Sequence, residues 1–360
     1  MSYRIAVIPG DGIGIEVTRV AMDVLEALAE VAGIHIELTW FDYGAERYLK
    51  DGTTFPPEAL ETMKSFDAIY LGALGDPRVP DMKHAADILF GLRFGLDLYA
   101  NVRPVRILDR RLCPLKKDEG IEFTVIRENT EGLYAGAGGI LRKGTPDEVA
   151  IQEDINTRKG VERIIRYAFE YARSHGKTKV CMSDKSNALR YGHDLWQRTF
   201  WEIAREYPDI EATHWYVDAL AMQMVKRPQQ FEVIVTCNMF GDIVSDLGAQ
   251  LQGGLGMAPS GNIHPGQVSM FEPVHGSAPK YAGKNVANPV AAILTAGMML
   301  DYLGEKKAAN WIEQAVIASL QAGIVTRDIA ESLNVAPTGT KEVGDWIAKW
   351  LRHHAGNTTP

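Results

Sequence analysis

Tyr3-Arg-Ile-Ala-Val-Ile-Pro-Gly-Asp-Gly-Ile-Gly14 is the stretch on which the reading of the chain turns. Its first six residues form an apolar run of strand length, glycines follow at a turn, and Glu16 to Val31 then repeats apolar residues at helical spacing. Strand, glycine turn and helix in that order open a parallel α/β sheet. The turn departs from the dinucleotide fingerprint: Gly10, Gly12 and Gly14 are spaced G-x-G-x-G, and Ile15 stands where G-x-G-x-x-G has its third glycine. Further on, apolar runs at 34–40 and 67–71 bracket a helical stretch near 57–65, the alternation of a sheet covered on both faces. The turn Gly72-Ala-Leu-Gly-Asp-Pro77, which contains Leu74, lies where ligands meet strand ends in such sheets.

The chain has 360 residues, 46% of them hydrophobic, enough for two domains with ordinary cores. A formal charge of -8 and only short basic clusters, such as Arg106 to Arg111, argue against nucleic acid as a partner. The chain shows no signal-like opening and no apolar run near the roughly 20 residues of a membrane helix, so a soluble, cytoplasmic protein without membrane contact is expected. Cys113, Cys181 and Cys237 are odd in number and far apart, which fits reduced, buried thiols better than disulfides or a zinc site.

Charged side chains recur at the ends of regular elements. Arg93 sits late in a predicted helix, Arg103 closes an extended segment before Pro104, and Arg127 ends the apolar run Ile121 to Ile126. Singly each reads as a surface arginine, but three would suit a substrate with two carboxylates, which guanidinium grips bidentately. Lys179 to Asp184 reads as a strand that ends at Lys185, with a helix from about Ala188 that Ser186 or Asn187 could cap. Asp218 follows the strand 211–217. After the run Phe231 to Val235, Asp242 and Asp246 fall one turn apart on one face of a helix; that is a solvated face or two oxygen ligands for Mg²⁺ or Mn²⁺. Gly253 to Ile263 reads as an ordered glycine-rich loop. Phe271 to Pro289 combines glycines, a histidine and two lysines, a composition able to bind phosphate.

Six motifs in order resemble the β-decarboxylating dehydrogenases, which include 3-isopropylmalate, isocitrate, homoisocitrate, tartrate and D-malate dehydrogenases. They are Pro-Gly-Asp-Gly-Ile-Gly, Leu-Arg with Arg-Pro ten residues on, Arg-Glu-Asn-Thr-Glu-Gly-Leu-Tyr, Asp-Lys-Ser-Asn, Asn-Met-Phe-Gly-Asp-Ile-Val-Ser-Asp, and Glu-Pro-Val-His-Gly-Ser-Ala-Pro. The resemblance spans nearly the whole chain. It implies a two-domain α/β fold of the isopropylmalate/isocitrate dehydrogenase type, not a standard Rossmann fold. Residues 1–99 plus 252–360 would form the terminal, cofactor-binding domain, and 100–251 the dimerisation and metal/substrate domain. It also implies a homodimer with shared active sites, NAD or NADP as cofactor, and Mg²⁺ or Mn²⁺. By the same resemblance Asp242 and Asp246 match metal ligands of one subunit and Asp218 the ligand from its partner. Arg93, Arg103 and Arg127 match the arginines that bind the malate moiety, Lys185 the base that, also reaching across the dimer, removes the hydroxyl proton through a water, and Tyr134 the acid that protonates C3. Glu272, His275, Gly276, Ser277, Ala278 and Asn288, together with Leu74, match the cofactor pocket.

Two places separate members of the family. NADP-type isocitrate enzymes carry Ser and Asn six and four positions before the first arginine, where this chain has Asp87 and Leu89, followed by Phe90. An anionic substituent beside Asp87 would be repelled and an alkyl group would suit Leu89 and Phe90, so 3-isopropylmalate is expected, with D-malate or tartrate second. Lys280 and Tyr281 stand where NAD enzymes of the family have Asp first; they resemble the pair that binds the NADP 2′-phosphate, and Arg327 adds charge. Glu331 replaces an arginine of that NADP pattern, so the lean to NADP is modest. A non-catalytic regulatory subunit would have lost catalytic positions, whereas Tyr134, Lys185 and the three aspartates are present.

Overall fold

The computed structural model describes residues 2–117 and 120–355. The chain divides into two compact units. The first takes the residues up to Leu98, 107–117 and those from Ala249 onward; the second takes Tyr99–Arg106 and the residues up to Gly248.

In the first unit the opening strand Ser2–Gly10 runs parallel to His35–Trp40 on one side and Ala68–Ala73 on the other. Ser269–Pro273 adds in parallel beyond Ala68–Ala73, and Pro259–Ile263 pairs antiparallel with it. All six residues of Ala68–Ala73 are buried, as expected of a strand covered on both faces. The opening helix Ile13–Ala32 buries the apolar face seen in the sequence, including Val17, Val24, Leu25 and Leu28, and ends on Gly33 in the left-handed region. Helix Lys83–Gly95 turns Ile88 and Leu92 onto Ile8, Ile69 and Met270, and both are fully buried. Each such burial contributes about 2 kcal/mol, and it fixes the helix whose last turn carries Arg93.

Two expectations change here. Pro259–Ile263, read as part of a loop, is a buried strand, because pairing with Ser269–Pro273 satisfies backbone groups that its Pro-Ser-Gly-Asn sequence would leave to a turn. Residues 107–117, expected in the second domain, pack with the first unit: Asp109 accepts the Arg111 N–H, and Arg111 reaches the Leu320 carbonyl at 3.3 Å.

In the second unit the strands lie in the order Ala100–Arg106, Glu122–Glu128, Val233–Thr236, Lys179–Asp184, Glu211–Tyr216. The first pair is antiparallel and the others are parallel. Helix Arg158–Ser174, capped by the Thr157 hydroxyl, buries Val161, Ile164, Ile165, Ala168 and Phe169, so its apolar face is used within its own unit. The next helix begins at Gly192, four residues later than expected, and neither Ser186 nor Asn187 caps it. The Lys185 carbonyl instead accepts the Ala188 and Leu189 N–H groups in a separate turn. Strands Gly138–Leu141 and Val149–Gln152 form a separate antiparallel hairpin whose residues are all exposed. No helix among the described residues is long and apolar enough to cross a membrane. The tail Gly356 to Pro360, expected to fray, lies outside the described residues.

Candidate active site

In the second unit the antiparallel register sets Asn101 opposite Arg127, which brings Arg103 and Arg127 from adjacent strands to helix Asn238–Leu251. Arg127 is 2% exposed; its Nη1 lies 2.5 Å from Asp242 Oδ1, and its Nε and Nη2 both donate to Asn238 Oδ1. Arg103 reaches Asp242 at 3.2 Å and Asp246 at 3.5 Å, and donates to Asn101 and Ser245 at 2.7 and 2.8 Å. The two carboxylates that the sequence placed one turn apart therefore share a guanidinium. Both remain partly open, with Asp246 52% exposed. Burial raises the Asp246 pKa, Arg103 opposes that shift, and neighbouring Asp242 adds to it. Tyr134 donates to Asp242 Oδ2 at 3.2 Å, beside the Arg127 guanidinium; burial and the Asp242 charge both hold its phenol above the usual value. Asn238 and Ser245 had not been singled out in the sequence, although both lie inside the motif that carries the aspartates.

Gly241 is required where this cluster forms: a Cβ there would lie 2.5 Å from Arg127 Cγ. Elsewhere in the unit, Lys185 Nζ pairs with Asp218 Oδ1 at 2.8 Å, and that contact lowers the Asp218 pKa. Among the described residues no three His, Cys, Asp or Glu side chains gather closely enough to hold a metal ion. Cys181 and Cys237 are buried, which pushes both thiols up to about 12 and leaves them unreactive.

In the first unit the glycine turn meets the 275–288 loop. Ile13 N–H donates to the Ser277 carbonyl at 2.7 Å, and a Cβ on Gly12, at φ 56, would stand 2.1 Å from that oxygen. Asp11, at the centre of the turn, accepts the Ala45 and Gly75 N–H groups and His84 Nε2, and so ties three segments to it. Neither Asp11 nor His84 had been singled out. Glu272, expected in the cofactor pocket, bonds Arg93 at 2.8 Å and Asn262 at 2.8 Å. Asn288 donates to Asp328 at 2.9 Å, which brings the start of the Arg327–Leu333 helix to it, and its Oδ1 accepts the N–H of Val290, where the next helix starts. Lys280 lies over the Tyr281 ring, both exposed. Leu74 and Leu89 are half-buried against the core. On helix Lys83–Gly95, Leu89 shares Arg93's side by the four-residue spacing. Asp87 is turned away, bonded to Lys83 at 2.6 Å and Thr54 at 2.8 Å, and lines an open groove of about 490 Å³ with Phe90 and Phe94. With its charge already paired, Asp87 does not repel an anionic substituent as the sequence led us to expect. Leu89 is left to carry the selection.

Residues 4–347 match the isocitrate/isopropylmalate dehydrogenase family. The chain belongs to that family. It is 45% identical over 352 residues to the 3-isopropylmalate dehydrogenase of Thermobifida fusca, covering 97% of each chain. It is 47% identical over 319 residues to that of Frankia casuarinae, covering 88% of this chain and 92% of the relative. The crystal structure of isocitrate dehydrogenase from Methylococcus capsulatus superposes with a TM-score of 0.89 at 39% identity, covering 97% and 99%.

Membership makes the chain a decarboxylating dehydrogenase acting on a CH–OH group, with a divalent metal and an NAD-type cofactor. The residues present are compatible with both groups. Asp242 and Asp246 supply hard oxygen donors with exposed edges, two of the ligands such a cation takes. In the loop, His275 Nε2 is shut off from solvent without a hydrogen-bond partner, Gly276 has open space where a Cβ would point, and Ala278 adopts φ 37. A left-handed alanine costs about 1–3 kcal/mol and is characteristic of ligand clamps.

Proposed function

We propose that this protein catalyses the metal-dependent oxidative decarboxylation of 3-isopropylmalate in leucine biosynthesis. Support comes first from the near-full-length likeness to relatives that bear that name. The half-buried Leu89 on the side of Arg93 adds to it, since an alkyl substituent on C3 gains from an apolar neighbour and a carboxylate does not.

The roles follow from chemistry and from the family pattern. Arg103 and Arg127, with Arg93, bind the carboxylates of the diacid. Asp242 and Asp246 hold a Mg²⁺ or Mn²⁺ ion together with Asp218 of the partner subunit. When bound, that cation supplies Lewis-acid stabilisation of negative charge on oxygen, and the dinucleotide accepts the hydride. Lys185 takes up the proton of the C2 hydroxyl, and Tyr134 delivers a proton to C3 after CO₂ is lost. The first unit binds the cofactor through Leu74, Glu272, His275, Gly276, Ser277, Ala278 and Asn288. Lys280, Tyr281 and Arg327 favour NADP, since cationic and stacking groups match a 2′-phosphate better than a free ribose hydroxyl. The second unit forms a homodimer. In its support, the hairpin exposes Ile140, Leu141, Val149 and Ile151 together, and Met222 is 64% exposed on the Val217–Lys226 helix.

The deciding experiment is a matrix of diacids against NAD and NADP, with and without metal. NAD(P)H and CO₂ formed fastest from 3-isopropylmalate support the reading. Faster turnover of D-malate or tartrate would replace the substrate and keep the reaction.

A further inference from the structure

Lys185 is held by more than its ion pair. Its backbone N–H donates to Nδ1 of His193 at 2.8 Å. His193 is 1% exposed, its ring packs edge-on against Phe240, and its Nε2 faces the Asp154 carboxylate at 3.9 Å. Asp154 accepts from Asn156, which accepts the indole N–H of Trp196 at 2.8 Å. An Nδ1 that accepts carries no proton, so this network assigns the ring as the neutral Nε2–H tautomer.

We infer that His193 is a positioning residue for the reaction, whose neutral imidazole fixes the backbone of Lys185 and thereby the place from which its side chain reaches the substrate proton. The inference rests on Lys185 being the base. Protonation of Nδ1 sets two N–H donors against each other and releases that backbone. The charged groups facing the ring are Asp154, from the segment after the hairpin, and Asp184, from the strand before Lys185. Both favour the imidazolium, yet burial outweighs them and holds the His193 pKa below its ordinary value. Phe240, from the Asn238–Leu251 helix, adds no charge. The ring is therefore neutral at pH 7, and acidification loosens Lys185.

Three variants of the full-length enzyme test this, with kinetics normalised to the folded fraction by circular dichroism. His193→Leu keeps bulk but removes the acceptor; kcat falls on the order of tenfold or more, as for other misplaced catalytic groups, while KM for nucleotide and diacid stays near wild type. His193→Asn restores an acceptor that does not titrate, so it recovers most of kcat and its acid limb loses one ionisation. Wild-type kcat in His193→Leu, or a His193→Asn enzyme as slow as His193→Leu with an unchanged acid limb, overturns the inference. Lys185→Met separates the two readings. If it retains turnover, the base assignment falls and this inference with it; if it is inactive while His193→Leu is fast, only the positioning role is lost.

Discussion

Lys185 Nζ and Asp218 Oδ1 lie 2.8 Å apart at the ends of adjacent parallel strands, whose register pairs Asp184 with Tyr216 and carries both residues past the same sheet edge. Ammonium and carboxylate are thus presented as a unit, while Asp242 and Asp246 lie on helix Asn238–Leu251, against Arg103 of strand Ala100–Arg106. Such a division of charges is what a site completed by a second copy requires.

Mixing two inactive variants tests that arrangement. Lys185→Met and Asp242→Asn homodimers each lack one half of every site. In a mixed dimer one of the two sites is wild type, so random re-association should restore about a quarter of full activity, by the two-fold symmetry of the pair. No recovery after verified subunit exchange would contradict the shared site.

Asp242→Asn alone should weaken Mn²⁺ binding at least on the order of tenfold, since even the outer partners of a metal ligand are worth that much. The fold should survive, because the amide oxygen still accepts from Arg127 and Asn238 still holds that guanidinium. Calorimetric titration of Mn²⁺ checks this, and unchanged affinity would remove Asp242 from the ligand set.

Lys280→Asp replaces a cation by a group that repels a 2′-phosphate and can accept from a ribose hydroxyl. The ratio of kcat/KM for NADP over NAD should fall by about tenfold, the worth of one exposed charge pair and hydrogen bond combined. An unaltered ratio would show that Lys280, stacked on Tyr281, does not read the nucleotide.

The first strand and helix were legible because periodicity alone separates a buried run from an amphipathic helix, and Ser2–Gly10 and Ile13–Ala32 lie where that pattern puts them. Pro259–Ile263 was not, because its strand character comes from Ser269–Pro273 and not from its own residues. The late start of the helix at Gly192 has a similar cause: the turn from Lys185 to Leu189 is set by side chains downstream in the chain, His193 among them. Within the site, the aspartate spacing could be read directly. The company those aspartates keep could not, since Arg103 and Arg127 reach them through strand register, and the 179-residue separation of Arg93 from Glu272 leaves no local trace.

His193 and His275 should make the protein lose stability in mild acid. Burial holds both folded-state values below the ordinary 6.5. The unfolded chain therefore takes up these protons first, and the stabilisation is full above about pH 6.5 and declines as pH falls through the window below it. Each imidazole contributes a slope of at most about 1.4 kcal/mol per pH unit. Urea midpoints from pH 7 to 5 should fall less steeply in a His193→Asn, His275→Asn double variant, and parallel curves would rule the pair out as the cause.

Gly241→Ala probes the packing beneath the carboxylates. The new methyl would stand 2.5 Å from Arg127 Cγ and 2.6 Å from its Cβ. Those atoms are the root of the side chain, and its guanidinium is pinned by Asn238 and Asp242, so the arginine cannot swing aside without breaking those bonds. The clash should cost about 1–3 kcal/mol. Alanine's better helix propensity returns up to about 1 kcal/mol, which leaves the variant modestly less stable. The kinetic effect should be larger than the stability effect, because relief of the clash moves Arg127 and Asp242 together and disturbs substrate and metal binding at once. A wild-type urea midpoint with unchanged KM for the diacid would show that helix and strand can part here at no cost to function.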